Sequence, residues 1–225
     1  MFCRYFVLLA MSSLPSSAHA EMVLSQVIVD LAADEAPRED IEVWNDGSER
    51  MYVQAEPFEI VGPGSATERR EPAGDPDVSG LLVSPQRLVL EPGERRVVRI
   101  AAFGERPPSE RVYRVAIKPI VGDVSAEGSA IKILVGYDAL VLIRPAVTKG
   151  NLISERRGNV LVLRNESNTS HEVFQGRQCD DHGEDCRDLS GKRLYPGAVW
   201  EQPLPFSTPV KYKTAVGDTV SDRVF

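Results

Sequence analysis

Short apolar runs with alternating polar positions cover most of the chain, and clusters of Gly, Pro, Asn and Asp separate them. This spacing is typical of all-β sandwiches, and helical periodicity is nearly absent. We predict strands over residues 23–31, 41–44, 51–60, 81–84, 87–90, 96–101, 111–120, 159–165, 171–175, 210–214 and 219–225. Residues 62–80 are polar and rich in Gly and Pro, so we predict a long surface loop there.

Residues 130–145 form the longest candidate strand. Side chains alternate between the faces of a strand, so Ile131, Ile133 and Val135 lie on one face, after a predicted flexible loop at residues 121–129. The second half is apolar on both faces and ends at Pro145, which cannot donate to a strand ladder. The apolar row is either ordinary core or a surface kept for another protein. Periodicity alone leaves both interpretations open.

The first twenty residues are predicted to be a signal peptide. Arg4 precedes a short apolar run, and residues 18–20 read Ala-His-Ala, a small-x-small cleavage signature. The apolar run is too short to span a bilayer. We therefore expect an exported chain that begins at Glu21, without membrane insertion. We predict two domains in that chain, residues 21–145 and 146–225.

The two cysteines that follow the signal peptide, Cys179 and Cys186, are expected to form a disulfide in an oxidising compartment. A metal site would need further ligands, and the nearby histidines His171 and His182 lie in acidic, turn-rich stretches. These histidines also lack the partners of a catalytic constellation, so we predict that the chain is not an enzyme. With a formal net charge of −7 and no basic patch, nucleic-acid binding is not expected.

Several short motifs, in order, resemble those of the periplasmic chaperones of pilus and fimbrial assembly. They are Trp44-Asn45-Asp46-Gly47 with Tyr52-Val53-Gln54-Ala55, Leu82-Val83-Ser84-Pro85 with Leu90-Glu91-Pro92-Gly93 and Val97-Val98-Arg99-Ile100, Glu110 to Val115, and Leu142-Ile143-Arg144-Pro145. In the second domain the best match is Leu163-Arg164-Asn165-Glu166-Ser167.

The resemblance implies two immunoglobulin-like sandwiches in an L-shaped arrangement. It also implies donor-strand complementation, in which the chaperone lends a strand to an incomplete subunit. Ile131, Ile133 and Val135 stand at the donor positions. The implied partners are fimbrial or pilus subunits and an outer-membrane usher. No ATP, metal or organic cofactor is implied.

One departure from the family concerns the anchor for the subunit's terminal carboxylate. The resemblance implies an Arg on the first strand and a Lys late in the long strand, where this chain has Gln26 or Val27 and Leu140. Arg99 and Arg96 are the replacement candidates, and the alternative for either is an ordinary ion pair. The rival function is a structural or adhesive module, for which we expect a long strand that is fully buried.

Overall fold

The computed structural model describes residues 21–120 and 134–225, and the strands in these ranges build four sheets. The strands of the first two sheets are β1 (Met22–Leu24), β2 (Ile28–Leu31), β3 (Arg38–Asn45), β4 (Met51–Val61), β5 (Arg69–Pro72), β6 (Leu81–Ser84), β7 (Arg87–Leu90), β8 (Arg95–Ala102), β9 (Arg111–Ile120) and β10 (Tyr137–Ile143). A short helix, α1 (Pro76–Ser79), precedes β6. The remaining strands are β11 (Leu152–Arg157), β12 (Val160–Asn165), β13 (His171–Cys179), β14 (Cys186–Leu189), β15 (Lys192–Leu194), β16 (Val199–Pro203), β17 (Lys211–Val216) and β18 (Thr219–Val224).

The first sandwich packs a sheet of order β1-β3-β8-β6, here sheet A, against a sheet of order β2-β10-β9-β4-β5, here sheet B. In sheet B, β7 also pairs with the first residues of β4. Alternate residues of the strands point into one core, which includes Val29, Ile41, Val53, Ile100 and Val141. Burial of each such side chain contributes about 1.5–3 kcal/mol.

The second sandwich packs sheet C, of order β11-β12-β16, against sheet D, of order β14-β13-β17-β18 with β15 also on β13. Its core is smaller and is built around Leu161, Leu163, Val173 and Tyr212. The all-β, two-sandwich fold predicted from the sequence is confirmed.

Several predicted boundaries are wrong, among them three in the first sandwich. Residues 23–31 form two strands, because β1 pairs with β3 in sheet A and β2 pairs with β10 in sheet B. The predicted loop at 62–80 contains β5 and α1. Nothing apolar marks β5, which forms through its pairing with β4, and Asp75 caps α1 by accepting a hydrogen bond from the Asp77 amide. Within the described part of the long candidate strand, β10 begins only at Tyr137.

An asparagine holds the same kind of turn in each sandwich, although the sequence shows no evident repeat. Asn45 is buried, and its amide group donates to the carbonyls of Glu49 and Leu90. Asn165 is also buried, and its amide group donates to the carbonyls of Thr169 and Leu194. The backbone carbonyl of each asparagine also accepts from the glycine of a Pro-Gly turn, at Gly93 and Gly197. The two asparagine motifs of the sequence therefore mark corresponding corners of the two sandwiches.

Candidate functional site

The strand β10 has one edge that is only partly covered. On one side, all of β10 from Tyr137 to Ile143 pairs with β9. On the other side, only Leu140 to Ile143 pair with β2, because the chain before Ile28 crosses into sheet A. The backbone of Tyr137, Asp138 and Ala139 therefore has no strand on that side among the described residues. An uncovered edge is a template for pairing with another chain.

The apolar alternation of β10 continues in the sequence before the strand, next to this open edge. Ala139, Val141 and Ile143 point into the core of the first sandwich. Tyr137 packs against the edge of that core and donates its hydroxyl to the Met22 carbonyl, 3.0 Å away. Val135, two residues earlier on the same alternation, is 50% exposed. The predicted donor residues Ile131 and Ile133 lie outside the described residues.

The opposite face of β10 is covered by the second sandwich. Leu140 and Leu142 form a small apolar cluster with Ile60 and Val112, and Tyr195 packs against it from the β15–β16 turn. Leu140 is only 5% exposed as a result. The later half of the long strand is therefore buried on both faces, as its sequence predicts.

Arg144 connects the two sandwiches directly after β10. Its Nε and Nη2 atoms donate to the two carboxylate oxygens of Asp30 at 2.8 and 2.7 Å. Its Nη1 atom donates to Glu110 at 2.5 Å and to Thr169 at 2.6 Å. Burial by itself would lower the pKa of Arg144, but the hydrogen bonds to Asp30 and the charge of Glu110 outweigh it and raise that pKa. Arg144 is therefore a buried cation with two carboxylate partners.

Glu110, a partner of Arg144, also accepts hydrogen bonds from residues of the second sandwich. One carboxylate oxygen accepts from the Thr169 hydroxyl and from the Ser170 amide, besides Arg144. The other oxygen, Oε1, is buried and has no hydrogen-bond partner among the residues that the structure describes. Pairing of Arg144 with Asp30 and Glu110 was not predicted from the sequence. These residues are far apart along the chain, and none carries a local signal of its partner.

Both candidate anchor residues lie on β8 in sheet A. Arg99 makes a bidentate pair with Asp40 at 2.8 Å, and Arg96 pairs with Glu94 at 2.7 Å. The open edge belongs to sheet B. Each arginine is thus engaged with a carboxylate of its own chain, which agrees with the ion-pair interpretation and leaves anchoring as a prediction.

The disulfide between Cys179 and Cys186 is present. The two cysteines are directly paired residues of β13 and β14, so the bond closes the hairpin at the edge of sheet D.

Across residues 21–120 and 134–225, no group of three His, Cys, Asp or Glu side chains is placed to hold a metal ion. Within the same ranges, no helix has the length and apolar character needed to cross a membrane.

We expect His171 to make the second sandwich sensitive to acid. Burial lowers the pKa of His171 from 6.5, and the positive charges of Arg223 and Arg144 lower it further. Because the unfolded state then binds the proton more readily, stability should fall as the pH drops below about 6.5. Thermal melts between pH 7.5 and pH 5.5 should show a smaller loss for His171→Gln than for the parent chain. His182→Gln, in an exposed turn, is the control, and equal losses in all three proteins would contradict this prediction.

Comparisons with known proteins identify the fold. No protein-family model matches the chain. The chain is 26% identical over 204 residues to a CFA/I fimbrial subunit of Escherichia coli, a match that covers 86% of this chain and 84% of that protein. The solved structure of the class 5 fimbriae chaperone CfaA superposes with a TM-score of 0.67 at 22% identity, over 90% of this chain and 98% of the other.

Two further solved structures share the same two-sandwich fold. The E. coli chaperone DraB gives a TM-score of 0.60 at 23% identity, over 91% of this chain and 96% of the other. A structure of the Salmonella enterica SafA pilin in complex with the SafB chaperone gives 0.63 at 18% identity, over 93% and 99%. These matches span both sandwiches and are consistent with the L-shaped arrangement that the resemblance implies. The resemblance predicted from the sequence is thereby confirmed: this chain has the two-sandwich fold of the fimbrial chaperones.

Proposed function

We propose that this chain is a periplasmic chaperone that holds fimbrial or pilus subunits by donor-strand complementation. The observation that carries the proposal is the open edge of β10 beside the half-exposed Val135. A subunit strand that pairs with Tyr137 to Ala139 would extend sheet B, and apolar residues of the same alternation would enter the subunit's groove. For a structural or adhesive module we expect the long candidate strand to be fully buried. Val135, which belongs to that candidate strand, is instead half exposed.

The proposed function also implies where the chain is located and how it is divided into domains. Residues 1–20 would direct export and be removed. Residues 21–145 would form the domain that provides the strand, and residues 146–225 would form the second domain. Holding a subunit through strand pairing requires no catalysis and no cofactor. We therefore propose a chaperone without enzymatic activity.

The second proposed partner is an outer-membrane usher, and one exposed surface suits a second partner. Val89, Tyr52 and Ile120 lie side by side across β7, β4 and β9, because Tyr52 pairs with both of the others. All three side chains are at least 40% exposed. They belong to the outer face of sheet B, so a subunit bound to the β10 edge would leave this apolar row accessible.

The anchor for the subunit's carboxylate also remains a proposal. Leu140 is covered by Tyr195, and Val27 is uncharged, so neither can pair with a carboxylate. For Arg99 or Arg96 to act as the anchor, the subunit's carboxylate must displace Asp40 or Glu94, or share the guanidinium with it.

The decisive experiment compares an aspartate substitution just before β10 with one inside that strand. Val135→Asp places a charge on a half-exposed residue, so it should keep the parental melting temperature. It should nevertheless fail to retain a purified fimbrial subunit from the same genome in size-exclusion chromatography. Val141→Asp, six residues along and inside β10, buries an unpaired carboxylate and should unfold the domain.

Two results would contradict the proposed function. One is a Val135→Asp variant that matches the parent chain in retaining the subunit. The other is a Val135→Asp variant that unfolds, because Val135 would then belong to the core.

A further inference from the structure

Two arginines from other strands converge on Asp138, the second residue of β10. Arg70 on β5 donates from Nη1 and Nη2 to the two carboxylate oxygens of Asp138, at 3.1 and 2.9 Å. Arg114 on β9 donates from Nη1 to the backbone carbonyl of Asp138 at 3.1 Å. Its Nε atom lies 4.0 Å from the Asp138 carboxylate. Asp138 is therefore held through both its side chain and its backbone.

The contact from Arg70 spans the outer face of sheet B. In the strand order β10-β9-β4-β5, two strands separate Arg70 from Asp138. The Arg70 guanidinium lies 4.1 Å from the ring centroid of Phe58 on β4, a cation–π contact that supports it along the way. One residue from each of the four strands thus takes part. We call Phe58, Arg70, Arg114 and Asp138 the Asp138 cluster.

The Asp138 cluster lies at the part of β10 that pairs with a neighbouring strand on one side only. Tyr137 to Ala139 pair with β9 but not with β2. Gly136, the preceding residue on the outer face, has no side chain, and a Cβ there would lie only 3.0 Å from the Lys118 Cβ. Asp138 is therefore the first charged side chain that fixes the outer face of β10 as the chain enters the strand.

Fixing one face of a strand also fixes the other, because successive side chains point to opposite faces. With Asp138 held outward, Tyr137 points inward, and continued strand alternation would place Val135 on the same side. A rotation of this segment about its own axis would turn Val135 away from that line. Together with the pairing of β10 to β9, a hold on Asp138 would therefore affect which side chains face a bound subunit.

We propose that Arg70 is a positioning residue for strand donation: through Asp138 it sets the rotation of the open-edge segment of β10. This inference rests on the proposed function, since it concerns how the same edge meets its partner. The ion pair is half exposed, with side-chain exposures of 39% for Arg70 and 47% for Asp138. Exposed pairs contribute little to global stability, so loss of Arg70 should loosen the segment without unfolding the domain.

The test uses Arg70→Gln and Asp138→Asn in the full chain. Arg69→Gln is the matched control, since Arg69 is on the same strand and pairs with Glu71 at 3.2 Å, away from β10. Amide hydrogen exchange should become faster at residues 137–139 in both test variants and stay parental in the control. The dissociation rate of a purified fimbrial subunit from the same genome should rise by up to about fivefold, with unchanged melting temperature.

The outcomes separate the two proposals. If the parent chain retains the subunit and Arg70→Gln retains it equally long, with parental exchange at residues 137–139, Arg70 is not a positioning residue. If the parent chain retains no subunit, the proposed function fails. In that case faster exchange in Arg70→Gln would still support ordering of the edge by Arg70, and parental exchange would overturn it.

Discussion

Replacing Arg144 by methionine is expected to lower the free energy of unfolding by about 3–5 kcal/mol, because it leaves two carboxylates without their cation. Glu110 has a fully buried side chain, and Asp30 is largely buried. Methionine restores much of the volume of the arginine but none of its hydrogen bonds. Urea unfolding followed by tryptophan fluorescence would measure the change, and the contact between the sandwiches should loosen with it.

Arg99→Met is the matched control for this prediction. Arg99 also makes a bidentate pair with an aspartate, but both side chains are about half exposed, so water and salt screen the pair. Its loss should leave the unfolding midpoint nearly unchanged. Similar losses for the two variants would show that burial does not set the strength of the Arg144 contacts. Because Arg99→Met should stay folded, it also tests the anchor prediction, which requires weaker retention of the subunit.

The sequence predicts best those strands that bury one face in a single core, because their apolar and polar residues then alternate. β4 and β9 alternate over ten or more residues because one face of each packs in the first sandwich. The turns after Asn45 and Asn165 were also predictable, since a short polar side chain there satisfies backbone groups locally. The disulfide followed from an isolated pair of cysteines in a chain predicted to be exported.

Features that depend on a neighbouring strand could not be predicted. The break between β1 and β2 has no turn signal of its own, because it arises where the chain changes from sheet A to sheet B. The strand β5 carries four exposed polar or proline residues and is defined only by its pairing with β4. The open edge of β10 likewise depends on where β2 begins, and the partners of Arg144 depend on how the two sandwiches meet.

The contact between the two sandwiches determines which side chain position 140 can accommodate. The family resemblance implies a lysine there, and in this chain Leu140 packs with Ile60, Val112 and Leu142 beneath Tyr195. We expect Leu140→Lys to destabilise the protein by about 3 kcal/mol or more, because it places an ammonium group in an apolar cluster. The directly paired residue on β9 is Arg114, so the new charge would also face a like charge.

Ile28→Lys makes the matched comparison, because Ile28 pairs with Leu140 from β2 and shares its face of the sheet. Ile28 is 49% exposed, so a lysine there can reach water, and the free energy of unfolding should change by only about 0.5 kcal/mol. Thermal melts of both variants would check the difference. A Leu140→Lys protein as stable as Ile28→Lys would mean that Tyr195 moves aside readily. The contact between the sandwiches would then be weak enough for a lysine to serve as the carboxylate anchor at position 140.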